Sequence, residues 1–194
     1  MALRGEHPHA GRLGQICSVG AILRLGSGNK LRGLRVACLL PIRRPMKTAH
    51  DETQIIVNTA VDYSRSLTKM IDDGHYDEVH RDITPRNFRL SARGFRQIEL
   101  TLVQFKYPVA PLEAVMLMKE RGYRPATIEE ILALGSQHPE LQRSIPIVGL
   151  GSARVVENRR YVLCLGGSQS TRELGLAVIY RRWSIYYRFA FVRE

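Results

Sequence analysis

The sequence predicts an α+β domain, and three observations predict it. Short apolar runs separated by Gly-Gly-Ser or Glu-Asn-Arg-Arg occupy residues 147–194, as strands and turns do. A strand-like run, Glu99–Phe105, stands well ahead of them. Between the two lie helical stretches at about 111–121 and 127–135. At 194 residues and 44% hydrophobic content the chain can bury one full core.

The N-terminal 45 residues fall outside that frame. They carry eight Lys/Arg against Glu6 alone, so +7 of the net +11 sits there and only +4 is left for the rest. They show no sustained period of 3.6 or 2 and end in Pro41-Ile-Arg-Arg-Pro45, which predicts a disordered basic extension over 1–45. From Thr53 to Ile71 the apolar positions Ile56, Ala60, Val61, Leu67, Met70 and Ile71 predict one amphipathic helix, stopped by Asp72-Asp73-Gly74. Residues 46–97 then read as a small helical supporting region, and 98–194 as the main domain.

Within the main domain, alternation along Glu99–Phe105 places Leu100, Leu102 and Gln104 on one face and Thr101, Val103 and Phe105 on the other. Pro111–Arg121 is expected to turn Leu112, Val115, Met116 and Met118 inward and to stop at Gly122. Thr127-Ile-Glu-Glu130 is a capping box that opens a second helix, to about Gly135. Strands are expected near 145–150, 161–165, 174–179 and 186–192.

Several chemistries are tested by the residues they require. His80-Arg81-Asp82, followed after four residues by Asn87, matches the kinase catalytic-loop pattern, but no Asp-Phe-Gly follows and no nucleotide lobe fits ahead of it. Asp82 and Thr84 therefore read as turn residues. Six histidines offer neither His-Glu-x-x-His nor a Cys-x-x-Cys partner, and Ser168–Ser170 beside Gly166-Gly167 form no nucleophile elbow. No catalytic residue, metal or cofactor is assigned. No apolar window reaches bilayer length and no secretory signal is readable, so a cytoplasmic location is expected. Of the three cysteines only Cys164 lies in the main domain, which fits a reducing compartment.

Six of the fourteen aromatic residues fall in the last fifteen positions, interleaved with Arg181, Arg182 and Arg188. Aromatic and Arg side chains are the usual anchors of recognition surfaces. Four stretches in this half resemble one family: Gly122-Tyr-Arg-Pro-Ala-Thr-Ile-Glu-Glu-Ile-Leu-Ala133, His138-Pro-Glu-Leu-Gln-Arg143, Pro146-Ile-Val-Gly-Leu-Gly-Ser152, and Arg188-Phe189 with Val192-Arg193. They resemble a set of small bacterial proteins, common in candidate-phyla genomes, that are similar to the variable target proteins of diversity-generating retroelements. The resemblance spans about Asp77–Glu194. It implies a C-type-lectin-like domain, with two helices packed on antiparallel sheet, whose final segment is rewritten by mutagenic reverse transcription. Members begin near Met46, so an upstream-extended reading frame is one explanation of residues 1–45.

The resemblance also implies that Trp183 and Arg188-Phe189 belong to a constant frame. Tyr180, Arg181, Ser184, Ile185 and Tyr186 would be outward, diversifiable positions, with Ala177, Arg159 and Arg172 next. The chain departs from the family where Arg154, Val178 and Ile179 replace aromatic residues, and it lacks the Glu-Pro-Asn, Gln-Pro-Asp and Trp-Asn-Asp motifs of calcium-dependent sugar binding. The expected function is non-enzymatic binding of a protein or surface ligand. The competing reading is a basic nucleic-acid-binding protein that uses the Arg-rich tail and the C-terminal Arg/Tyr face.

Overall fold

The computed structural model describes residues 52–90, 92–156, 158–179 and 182–194. The chain divides at Arg44/Pro45, and every described residue lies in the second unit. The basic extension expected over 1–45 and the start at Met46 lie outside the described residues. In order the elements are β1 (Glu52–Asp62), α1 (Leu67–Gly74), β2 (Glu78–Val79), β3 (Phe95–Phe105), α2 (Pro111–Lys119), β4 (Tyr123–Pro125), α3 (Ile128–Gln137), α4 (Leu141–Ser144), β5 (Ile147–Val156), β6 (Arg159–Gly167), β7 (Arg172–Val178) and β8 (Arg188–Arg193). The described residues thus form an α+β unit with one eight-stranded sheet and four helices.

The sheet runs β1-β3-β8-β5-β6-β7-β2, with β4 also paired to β8. The C-terminal strand is central: it lies antiparallel to β3 and parallel to β5. The sheet is therefore mixed rather than purely antiparallel, with a second parallel pair between β2 and β7.

The helix expected over 53–71 is instead a strand followed by a short helix. Val57, Thr59, Val61 and Tyr63 are buried and alternate with exposed or half-buried neighbours, which is period 2, while Ile56, assigned to the inner face of the helix, is 59% exposed. The β-branched content of this run (Thr53, Ile55, Ile56, Val57, Thr59, Val61) favours the pleated conformation. Helix α1 starts only after Ser66, whose hydroxyl accepts from the Lys69 amide at 3.2 Å. β1 pairs with β3 along its whole length, from Glu52↔Phe105 to Asp62↔Phe95. A boundary at 97/98 would cut through β3, so residues 52–97 share the sheet with the main domain and are not a helical region beside it.

Both faces of the sheet are covered, because β3 buries residues of both parities. On one face Leu100, Leu102, Ile147, Leu163, Leu165 and Leu174 pack against Leu67 and Met70 of α1 and Ile128, Ile131, Leu132 and Leu134 of α3. On the other, Val103, Phe105, Val148, Val162, Phe189 and Phe191 pack with Trp183 and with Ala114 and Met118 of α2. Fully burying one such side chain stabilises by roughly 1.5–3 kcal/mol. Helix α2 is rotated from its expected orientation: Leu112 and Met116 are 71% and 56% exposed, and its inner face is Ala114 and Met118. Gly122 follows with φ of 81°, a left-handed conformation that costs a glycine nothing.

The start of α3 is the best-tied point of the fold. The Glu130 carboxylate is fully buried and accepts from the Thr127 amide at 2.8 Å, the return bond of the expected capping box. It also accepts from both Arg124 Nη atoms at 3.0 and 2.6 Å and from the Tyr63 hydroxyl at 2.7 Å. Burial alone would raise its pKa, but the hydrogen bonds from Arg124, Thr127 and Tyr63 and the Arg124 charge outweigh it and hold the carboxyl below the usual range. Gly149 and Gly151 in β5 let this helix start sit on the sheet, since a Cβ at Gly151 would strike the Pro125 and Ala126 carbonyls. Ser152 Oγ then accepts from the Ile128 amide at 2.9 Å.

Candidate functional site

Three of the positions expected to vary, Ser184, Ile185 and Tyr186, directly follow a buried aromatic anchor. Trp183 is 4% exposed and exchanges two backbone hydrogen bonds with Val109, at 2.8 and 3.1 Å. Its ring lies edge-on to Tyr187, with centroids 4.7 Å apart, and 5.8 Å from Phe189, which continues to Phe105 at 5.9 Å. Aromatic contacts of this geometry add about 0.5–1.5 kcal/mol beyond area burial. Arg182, beside the anchor, donates to the Pro108 carbonyl at 2.7 Å and faces Glu113 of α2 at 3.6 Å.

Between this anchor and β8 the chain leaves the core. Ser184, Ile185 and Tyr186 are all exposed, Tyr186 by 71%. The loop is still pinned at its backbone, because the Gln104 side chain donates to the Ile185 carbonyl at 2.9 Å. Three outward side chains therefore ride on a fixed main chain. Ala177 is half-buried on β7 and shares a small hollow of 100 Å³ with Ser184, Val178, Arg182, Trp183 and Tyr187. A larger open groove of 380 Å³ continues along β6 and β7 past Cys164, Gly166, Glu173 and Gly175. Nothing stands within 4 Å of where a Cβ of Gly166 would be, so the groove floor is open there. Burial, with the Glu173 carboxylate adding to it, pushes the Cys164 thiol up to about 12. It is a neutral wall group rather than a nucleophile.

The remaining expected positions divide. Tyr180 and Arg181 lie outside the described residues. Arg159 is exposed at the β5–β6 turn, next to Asn158 at φ 65°, and lines neither hollow. Arg172 is a correction: it is 6% exposed and points into the helix-covered face. Its guanidinium donates to the Gly74 and Gly135 carbonyls and to Gln142 Oε1, and stacks 4.9 Å from the centre of the Tyr76 ring. Those carbonyls belong to the last turns of α1 and α3, where the helix dipole is negative and a cation is favoured. Arg172 is thus a structural keystone and not part of a displayed surface.

Reading Ala177 as outward already implies, by alternation, that Glu173 and Gly175 share its face. They are the groove residues the sequence could have supplied. Arg182 and Tyr187, which also line the hollow, adjoin the expected positions but are not among them.

The kinase-like segment is a turn. Asp82 Oδ2 lies 3.9 Å from His80 Nδ1, while Asn87 Nδ2 donates to the Asp82 carbonyl at 2.8 Å. Among the described residues no three His, Cys, Asp or Glu side chains are placed to hold a metal ion, and no helix is long and apolar enough to cross a membrane. No family model, curated protein or solved structure matches the chain.

Proposed function

We propose that this is a non-enzymatic binding protein that displays a diversifiable surface on a C-type-lectin-like scaffold. The observation that carries the reading is the separation within 183–191. Trp183, Phe189 and Phe191 are buried, while Ser184, Ile185 and Tyr186 project from a backbone tied to Gln104. Surface substitutions away from buried contacts usually change stability by less than about 0.5 kcal/mol, so such a loop can alter recognition while the fold persists. Pairing of the C-terminal strand with both β3 and β5 fixes the exit of that loop and the two Val109–Trp183 backbone bonds fix its entry, which supports the scaffold reading.

The test is a pair of displayed libraries. Randomising Ala177, Ser184, Ile185 and Tyr186 should leave most clones folded and yield binders to an immobilised protein target. Randomising Trp183, Phe189 and Phe191 should leave few folded clones. Equal loss of folding in both libraries would remove the reading. Diversification itself is tested in the flanking DNA, where a near-copy of the 3′ end of the gene, differing at adenines, should lie beside a reverse transcriptase gene.

A further inference from the structure

A cavity half open to solvent lies away from the C-terminal face, between β1, α1 and α3, with a volume of 290 Å³. At about 30 Å³ per water that is room for roughly ten waters, or one small organic molecule. Its α3 wall is Glu129, Leu132, Ala133, Ser136 and Gln137, which follow the i, i+3, i+4, i+7, i+8 spacing of one helix face. Val61 and Met70 supply apolar surface opposite, and the Phe95 ring, 65% exposed, stands at the rim.

Three carboxylates line this cavity in a chain of net charge +11, and their situations differ. Asp73 is paired with Arg65, and with Lys69 at 3.2 Å. Asp62 accepts from the Ser64 amide at 3.0 Å. Glu129 is only 3% exposed, and among the described residues it has no hydrogen-bond or ion-pair partner. Its carboxylate therefore faces the cavity with no counter-charge from the protein, and a cation entering the cavity would find that partner free. A metal ion does not fit, since no three candidate ligands come together among the described residues. Arg65 also lines the cavity but is held by Asp73, so the lining is net negative and disfavours an anion.

We propose that this cavity binds a small organic cation, a primary ammonium or guanidinium on a short apolar body. The cationic head would pair with Glu129 and the body would lie along Leu132, Ala133 and Met70, with the Phe95 ring covering its apolar end at the mouth. The inference is independent of the reading of the C-terminal loop.

Benzylammonium, benzyl alcohol and benzoate are the probes, titrated calorimetrically into the full chain. Benzylammonium should bind saturably and at least tenfold more tightly than the isosteric alcohol, with benzoate silent. Glu129→Gln keeps the side-chain shape and should lose at least tenfold in ammonium affinity, with a thermal midpoint at or above that of the parent. Ala133→Leu, which fills the cavity without touching a charge, should abolish binding of both the ammonium and the alcohol. No saturable ammonium binding, equal affinity for alcohol and ammonium, or full affinity in Glu129→Gln would each overturn the proposal. The first two outcomes are read on the unaltered protein and do not depend on how well the variants fold.

Discussion

The two faces of the sheet are finished in different ways. The face under α1, α3 and α4 is closed by helices and locked by two buried polar constellations, Glu130 with Arg124 and Tyr63, and Arg172 with two helix C-termini. The face under α2 has a single helix, and the outward side chains Leu112 and Met116 of that helix remain exposed. There an aromatic anchor does the closing, and beyond it the sheet lies open as a groove. Polar locks specify one geometry, because an unmatched buried group is expensive. Aromatic packing is more tolerant at its margin. A surface that must vary belongs on the second kind of face.

Breaking the locks should therefore cost most. Arg172→Met removes the donors from the Gly74 and Gly135 carbonyls and from Gln142 Oε1 while keeping an apolar stem. At about 1–3 kcal/mol for each unsatisfied buried group, the loss should be on the order of 5 kcal/mol, read by urea denaturation. A loss below about 1 kcal/mol would return Arg172 to the surface set. On the open face, Trp183→Ala and Phe189→Ala should each cost about 3–5 kcal/mol, through lost burial and the cavity left behind. The comparison sharpens if Phe189→Leu recovers part of its loss, since packing tolerates a smaller apolar group and a polar lock does not.

The same contrast explains how much was legible in the sequence. The capping box at Thr127 and Glu130, the turn at Gly122 and the alternation along β3 are local signals, each set by residues within a few positions, whereas the Trp183 and Phe189 frame rests on the family resemblance. Arg172 was not legible because its partners, Gly74, Gly135 and Gln142, are 30 to 98 residues away. β1 was misread because Ile56, Ala60 and Val61 satisfy a helical spacing, while the β-branched residues among them follow the pleat. The rotation of α2 had no local signal: Ala114 is the buried residue, and a small apolar side chain is equally at home outside.

A third expectation concerns acid. Glu130 has a lowered folded-state pKa, so its contribution is fully present above the unfolded carboxyl value of about 4.3 and is lost as pH falls through the lower folded value. The thermal midpoint of the parent should drop below about pH 4.3 more steeply than that of Glu130→Gln, whose unfolding carries no proton uptake at this site. Parallel curves would mean that Glu130 is not the acid-sensitive lock.

The smallest effects should come from the loop, and their smallness is the point. Ser184→Ala, Ile185→Ala and Tyr186→Ala should each shift stability by less than about 0.5 kcal/mol, because their side chains are exposed and the Gln104 bond to residue 185 uses only its carbonyl. Gln104→Ala removes that bond, by typically about 1 kcal/mol, and should loosen the loop without opening the core. Denaturation of the four variants measures the division directly, and hydrogen exchange of the 184–187 amides reads the loosening. If Ile185→Ala costs as much as Trp183→Ala, then residue 185 is core. The open face would then be as tightly specified as the helix-covered one, and no loop would be left that could vary without unfolding the protein.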